Sequence, residues 1–168
     1  DDQGEWVAPR GEWLLAPTAA HAQLTRPERT AFKETSSYAD VMAFLDSLRV
    51  RGAQFREGIM GQSPEGKPIP YVIVSRPLVA TPAEAARSGK PVVYIQANIH
   101  AGEVEGKEAA QMLLRDLTLG TLRPLLDSVI ILMAPIYNSD GNDHWAPGEV
   151  NRPGQDGPAL VGTRANGQ

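Results

Sequence analysis

The apolar positions change their spacing once between residues 91 and 119, from a continuous run to a helical repeat. The first part is rich in β-branched and aromatic side chains and predicts a buried core strand over residues 91–99. In the second part apolar residues recur every three or four positions, which predicts a helix over residues 104–119. His100 and Glu103 are therefore expected on the turn from a strand into a helix, where open α/β sheets bind their ligands.

A second continuous apolar run predicts another buried strand over residues 128–136. Two such strands joined by a helix form a βαβ unit, in which we expect them to be parallel and either adjacent or one strand apart. Upstream, residues 53–60 and 69–75 flank a turn rich in glycine and proline, which predicts a β-hairpin. Helical spacing predicts a further helix over residues 37–51. The pattern predicts an α/β sandwich with a mixed, mostly parallel sheet flanked by helices.

Two segments lack this regular patterning. Residues 1–35 carry tryptophans among prolines and are expected to be irregular and to pack on the body formed by residues 36–168. Residues 137–168 are rich in glycine, proline and asparagine and predict a long loop that leaves the sheet beside His100. Long ordered loops in compact domains usually have a function. This one carries the polar residues Asp140, Asp143, His144, Arg152 and Arg164.

The composition narrows the classes of function and partner. A hydrophobic content of 42%, a charged content of 21% and a net charge of −4 indicate a globular protein. We expect no nucleic acid partner because no basic cluster is present, and no membrane span because no apolar run approaches ~20 residues. Cysteine is absent, so any metal must be bound by His, Asp or Glu. That absence, and a first residue other than Met, lead us to expect a periplasmic or secreted protein whose signal peptide has been removed.

The residues from His100 to Glu103 form an H-x-x-E pattern. Imidazole nitrogens and carboxylates are good zinc ligands, and a catalytic zinc ion typically has three protein ligands and one open position. The same four residues are also compatible with a hydrogen-bonded histidine at a strand end. In that interpretation the following glutamates, including Glu105 and Glu108, would simply favour the positive end of the helix dipole.

Together with two further motifs, this pattern resembles the zinc carboxypeptidases of the carboxypeptidase A type. The strand at residues 128–136 leads into an N-x-D-G turn, in which Ser139 stands where the family usually has proline. Residues 61–69 look like the family's G-x-S-x-E-G-[RK]-x-I hairpin. The likeness covers roughly residues 38–168 and is strongest to exported bacterial members. It implies a carboxypeptidase-like sheet that is incomplete on its C-terminal side.

The resemblance implies metal-assisted hydrolysis of C-terminal peptide bonds, with one zinc ion and a peptide substrate that has a free C-terminus. His100 and Glu103 would be two of the zinc ligands. Arg164 would match the arginine that polarises the scissile carbonyl, with Arg152 as the alternative. The family's third ligand, a histidine, and its general base, a glutamate, are not assigned in this chain, since His144 lies too early and is expected to be a loop histidine. The chain alone is therefore expected to be inactive.

Two other functions stay open from the sequence. One is a zinc-dependent deacylase or amidase on the same fold, and the other is a catalytically inactive module that binds peptide or carbohydrate. An Asn-Arg pair beyond this chain would favour a carboxypeptidase, and its loss would favour a deacylase. Because an incomplete sheet exposes unpaired backbone groups, we also expect self-association through a sheet edge.

Overall fold

The computed structural model describes residues 24–163, which form a mixed sheet flanked by helices. The strands are β1 (Arg56–Gln62), β2 (Pro68–Val74), β3 (Val92–Gln96), β4 (Ile130–Ala134), β5 (Trp145–Pro147) and β6 (Leu160–Gly162). The helices are α1 (Arg26–Arg29), α2 (Tyr38–Val50), α3 (Pro82–Ser88), α4 (Val104–Thr118), α5 (Ser139–Asp143) and α6 (Gly148–Asn151), with a 3-10 turn at Arg123–Asp127.

The main sheet has the strand order β1-β2-β4-β3. The βαβ prediction is confirmed, because β3 and β4 are parallel neighbours with Val92 opposite Ile130. The predicted hairpin is also present, since β1 pairs with β2 in antiparallel fashion. However, β2 runs antiparallel to β4 as well, so the expectation that most pairings would be parallel is wrong. The second strand of the hairpin, β2, lies beside β4 and runs in the opposite direction. Both antiparallel pairings, β1 with β2 and β2 with β4, therefore come from the hairpin.

The hydrophobic core lies between one face of this sheet and helices α2 and α4. Helix α2 begins where the hydroxyl of Ser37 and the carboxylate of Asp40 cap each other's backbone N–H groups, which satisfies donors that the first turn cannot pair internally. Burying each large aliphatic side chain of the core contributes about 1.5–3 kcal/mol. Its members include Phe44, Leu45 and Leu48 of α2, Leu114 and Leu117 of α4, and Val72, Val74 and Met133 of the sheet.

Strand β3 is more exposed than the sequence predicts. Val92, Val93 and Tyr94 are 55%, 44% and 46% exposed, although a continuous apolar run indicates a strand buried on both faces. The physical reason is position: β3 is the last strand of the sheet and has a partner on one side only among the described residues. On the face opposite the core the sheet borders an apolar groove of about 590 Å³.

The long loop predicted after β4 is partly ordered secondary structure. Strands β5 and β6 pair in antiparallel fashion, with Trp145 opposite Gly162, and the short helices α5 and α6 complete the segment. Each of these strands has three residues, too few to show an alternating pattern in the sequence. The expectation of a segment without helix or strand is therefore wrong.

The residues before α2 lie against helix α4. Arg115 of α4 donates two hydrogen bonds, of 2.7 and 2.9 Å, to the carboxylate of Glu28 in α1. The tryptophans at the start of the chain lie outside the described residues, and the proposed boundary between residues 35 and 36 stays a prediction. Among the residues that the structure describes, no helix is long and apolar enough to cross a bilayer.

The Glu28–Arg115 pair is expected to stabilise this attachment measurably. Burial alone would raise the pKa of Glu28, but hydrogen bonds from Arg115 and Thr25 outweigh it and lower the pKa. We expect Glu28→Gln to reduce the free energy of unfolding by about 1–2 kcal/mol near neutral pH. Because the folded-state pKa is lowered, this contribution is full above the ordinary pKa and disappears as the pH falls through the lowered value.

Urea denaturation at several pH values measures this difference. The matched control is Glu34→Gln, because the Arg26–Glu34 pair is about half exposed on both sides and should contribute only about 0–1 kcal/mol. Equal losses for the two variants, or a Glu28→Gln difference that does not shrink in acid, would contradict the prediction.

Candidate metal site

His100 and Glu103 meet on the turn that joins the end of β3 to α4. The turn is closed by a hydrogen bond from the backbone N–H of Glu103 to the carbonyl of His100, at 2.9 Å. Nδ1 of His100 lies 3.1 Å from Oε2 of Glu103. The two side chains are 60% and 42% exposed, so the point on which they converge is open to solvent, as the H-x-x-E pattern predicts.

The separation of these two donor atoms fits their binding to a single zinc ion. Zinc is held at about 2.0–2.2 Å by imidazole nitrogen and carboxylate oxygen, so two such atoms 3.1 Å apart can both reach the same ion. Within residues 24–163 no group of three or more His, Cys, Asp or Glu side chains is placed to bind a metal. The described residues thus offer two donors, and their role as zinc ligands stays a prediction.

Two asparagines shape the backbone that presents His100. Asn98 has a left-handed backbone conformation, with φ of 59°, which asparagine tolerates better than most residues. Its buried side chain donates a 3.4 Å hydrogen bond to the carbonyl of Ala101. From the neighbouring strand connection, the side chain of Asn138 donates to the carbonyl of Ile99 at 3.2 Å. Both sides of the His100 turn are therefore fixed by hydrogen bonds.

The hairpin motif and the N-x-D-G turn are in direct contact. The hydroxyl of Ser63 donates to Oδ1 of Asp140 at 2.6 Å, and the backbone N–H of Glu65 donates to Oδ2 at 3.0 Å. Lys67 forms an ion pair with Asp143 at 3.0 Å. Ser63 thus lies in the turn between β1 and β2, and its hydrogen bond to Asp140 ties the hairpin to the segment that supports the His100 turn.

A buried polar network, which no pattern in the sequence predicts, lies one helical turn beyond Glu103. Lys107 is fully buried and donates hydrogen bonds to the carbonyl of Ser36 and to Oδ1 of Asn142. Glu108, which is also buried, accepts hydrogen bonds from Thr35, from the backbone and hydroxyl of Ser36, and from Gln111. Burial lowers the pKa of Lys107, and the charge of Glu108, 3.5 Å away, opposes this shift.

Of the other candidate side chains, Arg152 joins the site. Its Nη1 lies 3.1 Å from Oε1 of Glu103. The slight burial of Glu103 would raise the pKa of its carboxyl, but hydrogen bonds from His100 and Arg152 outweigh it and lower the pKa. His144 is paired with Glu65, with 2.8 Å between Nε2 and Oε1, as expected of a loop histidine. Arg164 lies outside the described residues, so the choice between the two arginines stays open.

Several solved structures are similar to this chain. Carboxypeptidase A from Helicoverpa armigera is 27% identical with a TM-score of 0.57, over 78% of this chain and 31% of that one. Bovine thrombin-activatable fibrinolysis inhibitor, in complex with tick carboxypeptidase inhibitor, is 17% identical with a TM-score of 0.56. The match covers 80% of this chain and 39% of that chain. A metallo-carboxypeptidase from Burkholderia cenocepacia is 23% identical with a TM-score of 0.52. The match covers 65% of this chain and 28% of that chain. No curated protein gives a match.

The chain thus spans about a third of the length of these structures. The family model described as zinc carboxypeptidase matches residues 41–166, which is most of the chain and includes all three motifs. The chain belongs to the zinc carboxypeptidase family.

Proposed function

We propose that this chain supplies two zinc ligands, His100 and Glu103, to the active site of an enzyme that hydrolyses C-terminal peptide bonds. The observation that carries the proposal is the 3.1 Å separation of Nδ1 and Oε2 on an exposed strand-to-helix turn. Membership of the zinc carboxypeptidase family supports the choice of metal and of reaction.

In this proposal each part of the turn has a defined task. His100 and Glu103 would hold the ion, which when bound supplies a Lewis acid that polarises a carbonyl and activates water. Asn98 and Asn138 hold the backbone on either side of His100 by hydrogen bonds. The turn that carries the imidazole is therefore kept in one conformation. The substrate would be a peptide with a free C-terminus, and Arg164, or Arg152 in its place, would stabilise negative charge on the scissile carbonyl oxygen.

A zinc titration of the chain tests the first part of this proposal. With two protein ligands, and water completing a tetrahedral set, we expect weak binding of one ion. His100→Ala should weaken that binding by at least about tenfold, because even outer-shell partners of a metal ligand contribute about 10–100-fold. Binding is followed by calorimetry at mildly alkaline pH, where protons compete least for the histidine nitrogen.

The matched control is His144→Ala, which removes a histidine of similar exposure that is paired with Glu65 instead. It should leave the zinc affinity unchanged. Equal losses for the two variants, or no binding by the unmodified chain, would remove the metal proposal. A catalytically inactive binding module would bind no zinc, but it would still bind peptide or carbohydrate. A deacylase would retain the zinc site and differ only in its substrate.

We also propose that the chain associates with itself through the exposed edge of β3. In the described residues β3 has one strand partner, and its large apolar side chains are about half exposed. An uncharged edge of this kind readily pairs with another strand. Sedimentation of the chain should therefore show dimers or larger species, and Val93→Lys should shift the distribution towards monomer.

Val50→Lys is the control, because Val50 is an 88% exposed valine at the end of α2, away from the sheet edge. It should leave the distribution unchanged. A clean monomer at the highest soluble concentration, or equal effects of the two lysines, would contradict association through β3. The periplasmic or secreted location remains part of the proposal and is tested by fractionating cells that express the natural gene.

A further inference from the structure

The small β5–β6 sheet presents apolar side chains to solvent on one of its faces. Trp145 lies opposite Gly162, and Pro147 lies opposite Leu160. Directly opposite residues of an antiparallel pair project to the same face, and so do alternate residues along a strand. Trp145 and Leu160 are 42% and 53% exposed, and Pro147 is exposed as well. We call these three residues the apolar ribbon face.

The inner end of the apolar ribbon face packs against the H-x-x-E turn. A Cβ atom at Gly162 would lie 2.9 Å from the carbonyl oxygen of Ala101, which is closer than real Cβ atoms approach. A Cβ atom at Gly102 would lie 3.2 Å from the carbonyl oxygen of Gly162 and 3.5 Å from Cδ of Arg152. Ala101 and Gly102 are the two middle residues of the H-x-x-E pattern. The face therefore begins at the candidate metal site and leads away from it.

The makeup of this face is typical of a binding surface. Single exposed apolar residues are common on proteins, but contiguous ones mark interaction sites. Here Pro147 and Leu160 are directly opposite each other, and Trp145 lies two positions along the same face. Tryptophan is enriched at binding interfaces, because its large side chain buries much area on contact. The ribbon thus offers an apolar contact surface that is continuous with the candidate site.

We propose that the apolar ribbon face is a specificity subsite: it binds apolar side chains of the peptide substrate on the N-terminal side of the bond that is cleaved. A substrate that ends at the released residue can extend over the protein only in its N-terminal direction. In the sequence, Arg164, which is proposed to act on the scissile carbonyl, follows β6 by two positions. The inference rests on the proposed function and adds the class of side chain that the site prefers.

The test uses the metal-free 168-residue chain, in the presence of a chelator, and two peptides with free C-termini. We expect acetyl-leucyl-leucyl-glycine to bind about tenfold more tightly than acetyl-seryl-seryl-glycine, because burial stabilises leucine and not serine. Binding is followed by NMR of the indole N–H signals. The chain has three tryptophans, and the signal lost in Trp145→Phe identifies that of Trp145.

The variants separate contact with the peptide from a loss of folding. Trp145→Ser and Leu160→Ser should each reduce the preference for the leucine peptide several-fold, whereas Trp145→Phe, which keeps an apolar ring, should retain most of it. The ratio of the two dissociation constants is the readout, because unfolding would weaken the binding of both peptides alike. Val50→Ser is the matched control, since Val50 is 88% exposed at the end of α2 and should leave the ratio unchanged.

Failure of this inference and failure of the proposed function give different results. Equal affinity for the two peptides, or a preference that survives both serine substitutions, would overturn the subsite. A Trp145 signal that shifts with chain concentration and not with peptide would identify a second copy of the chain as the occupant, and would also overturn it. His100→Ala should keep the preference, because the ribbon face needs no metal. The preference would therefore support the subsite even if the unmodified chain bound no zinc, a result that removes only the metal proposal.

Discussion

Replacing Lys107 with methionine is expected to lower the free energy of unfolding by about 3–5 kcal/mol, as found when one partner of a buried ion pair is removed. The ammonium group of Lys107 lies 3.5 Å from Oε1 of Glu108, and both side chains are buried. Methionine fills similar space, but it leaves Glu108 as a buried charge without its cation. It also leaves Ser36 and Asn142 without the donor that they share.

Urea denaturation measures this loss. Lys33→Met is the control, because Lys33 is exposed and its replacement should change stability by no more than about 0.5 kcal/mol. A loss below about 1 kcal/mol for Lys107→Met would show that the network contributes little to stability. The network joins α4 to the residues before α2 and to α5, so the same variant should also loosen the base of the His100 turn.

The elements were predictable where one local pattern decides them. Both strands of the βαβ unit and helix α4 follow from the spacing of apolar residues, and their observed bounds differ from the predicted ones by a few residues at most. The exposure of β3 was not predictable, because a continuous apolar run looks the same in a central strand and in an edge strand. The small β5–β6 sheet was missed because three-residue strands depend on a distant partner rather than on a repeat of their own.

The candidate site also has a part that the sequence predicts and a part that depends on residues far apart in the chain. The turn between His100 and Glu103 is local, and the sequence predicted their convergence. The burial of Lys107 and Glu108 was not predictable, because it depends on contacts with Ser36, which is 71 and 72 positions earlier in the chain. Arg152 was noticed as a candidate, but its pairing with Glu103 depends on packing over a glycine that no spacing rule reveals.

The largest functional effect is expected from His100→Ala in a longer polypeptide of the same protein that also contains a third histidine ligand and a glutamate base. Such a polypeptide should bind zinc tightly and release the C-terminal residue of a blocked dipeptide. Losing His100 should remove tight binding. It should also remove several kcal/mol of transition-state stabilisation, which corresponds to a loss of activity of about 10³-fold or more.

The 168-residue chain serves as the reference in that experiment, because it should bind zinc weakly and hydrolyse the dipeptide negligibly. His144→Ala in the longer polypeptide is the matched control, since His144 is paired with Glu65 rather than with Glu103. It should keep both zinc binding and turnover. If hydrolysis persists in His100→Ala, or if the longer polypeptide binds no zinc, then His100 does not hold a catalytic metal and the assignment of the H-x-x-E turn is wrong. Hydrolysis of small amides in place of the dipeptide, with the same dependence on His100, would keep the zinc site and identify a deacylase.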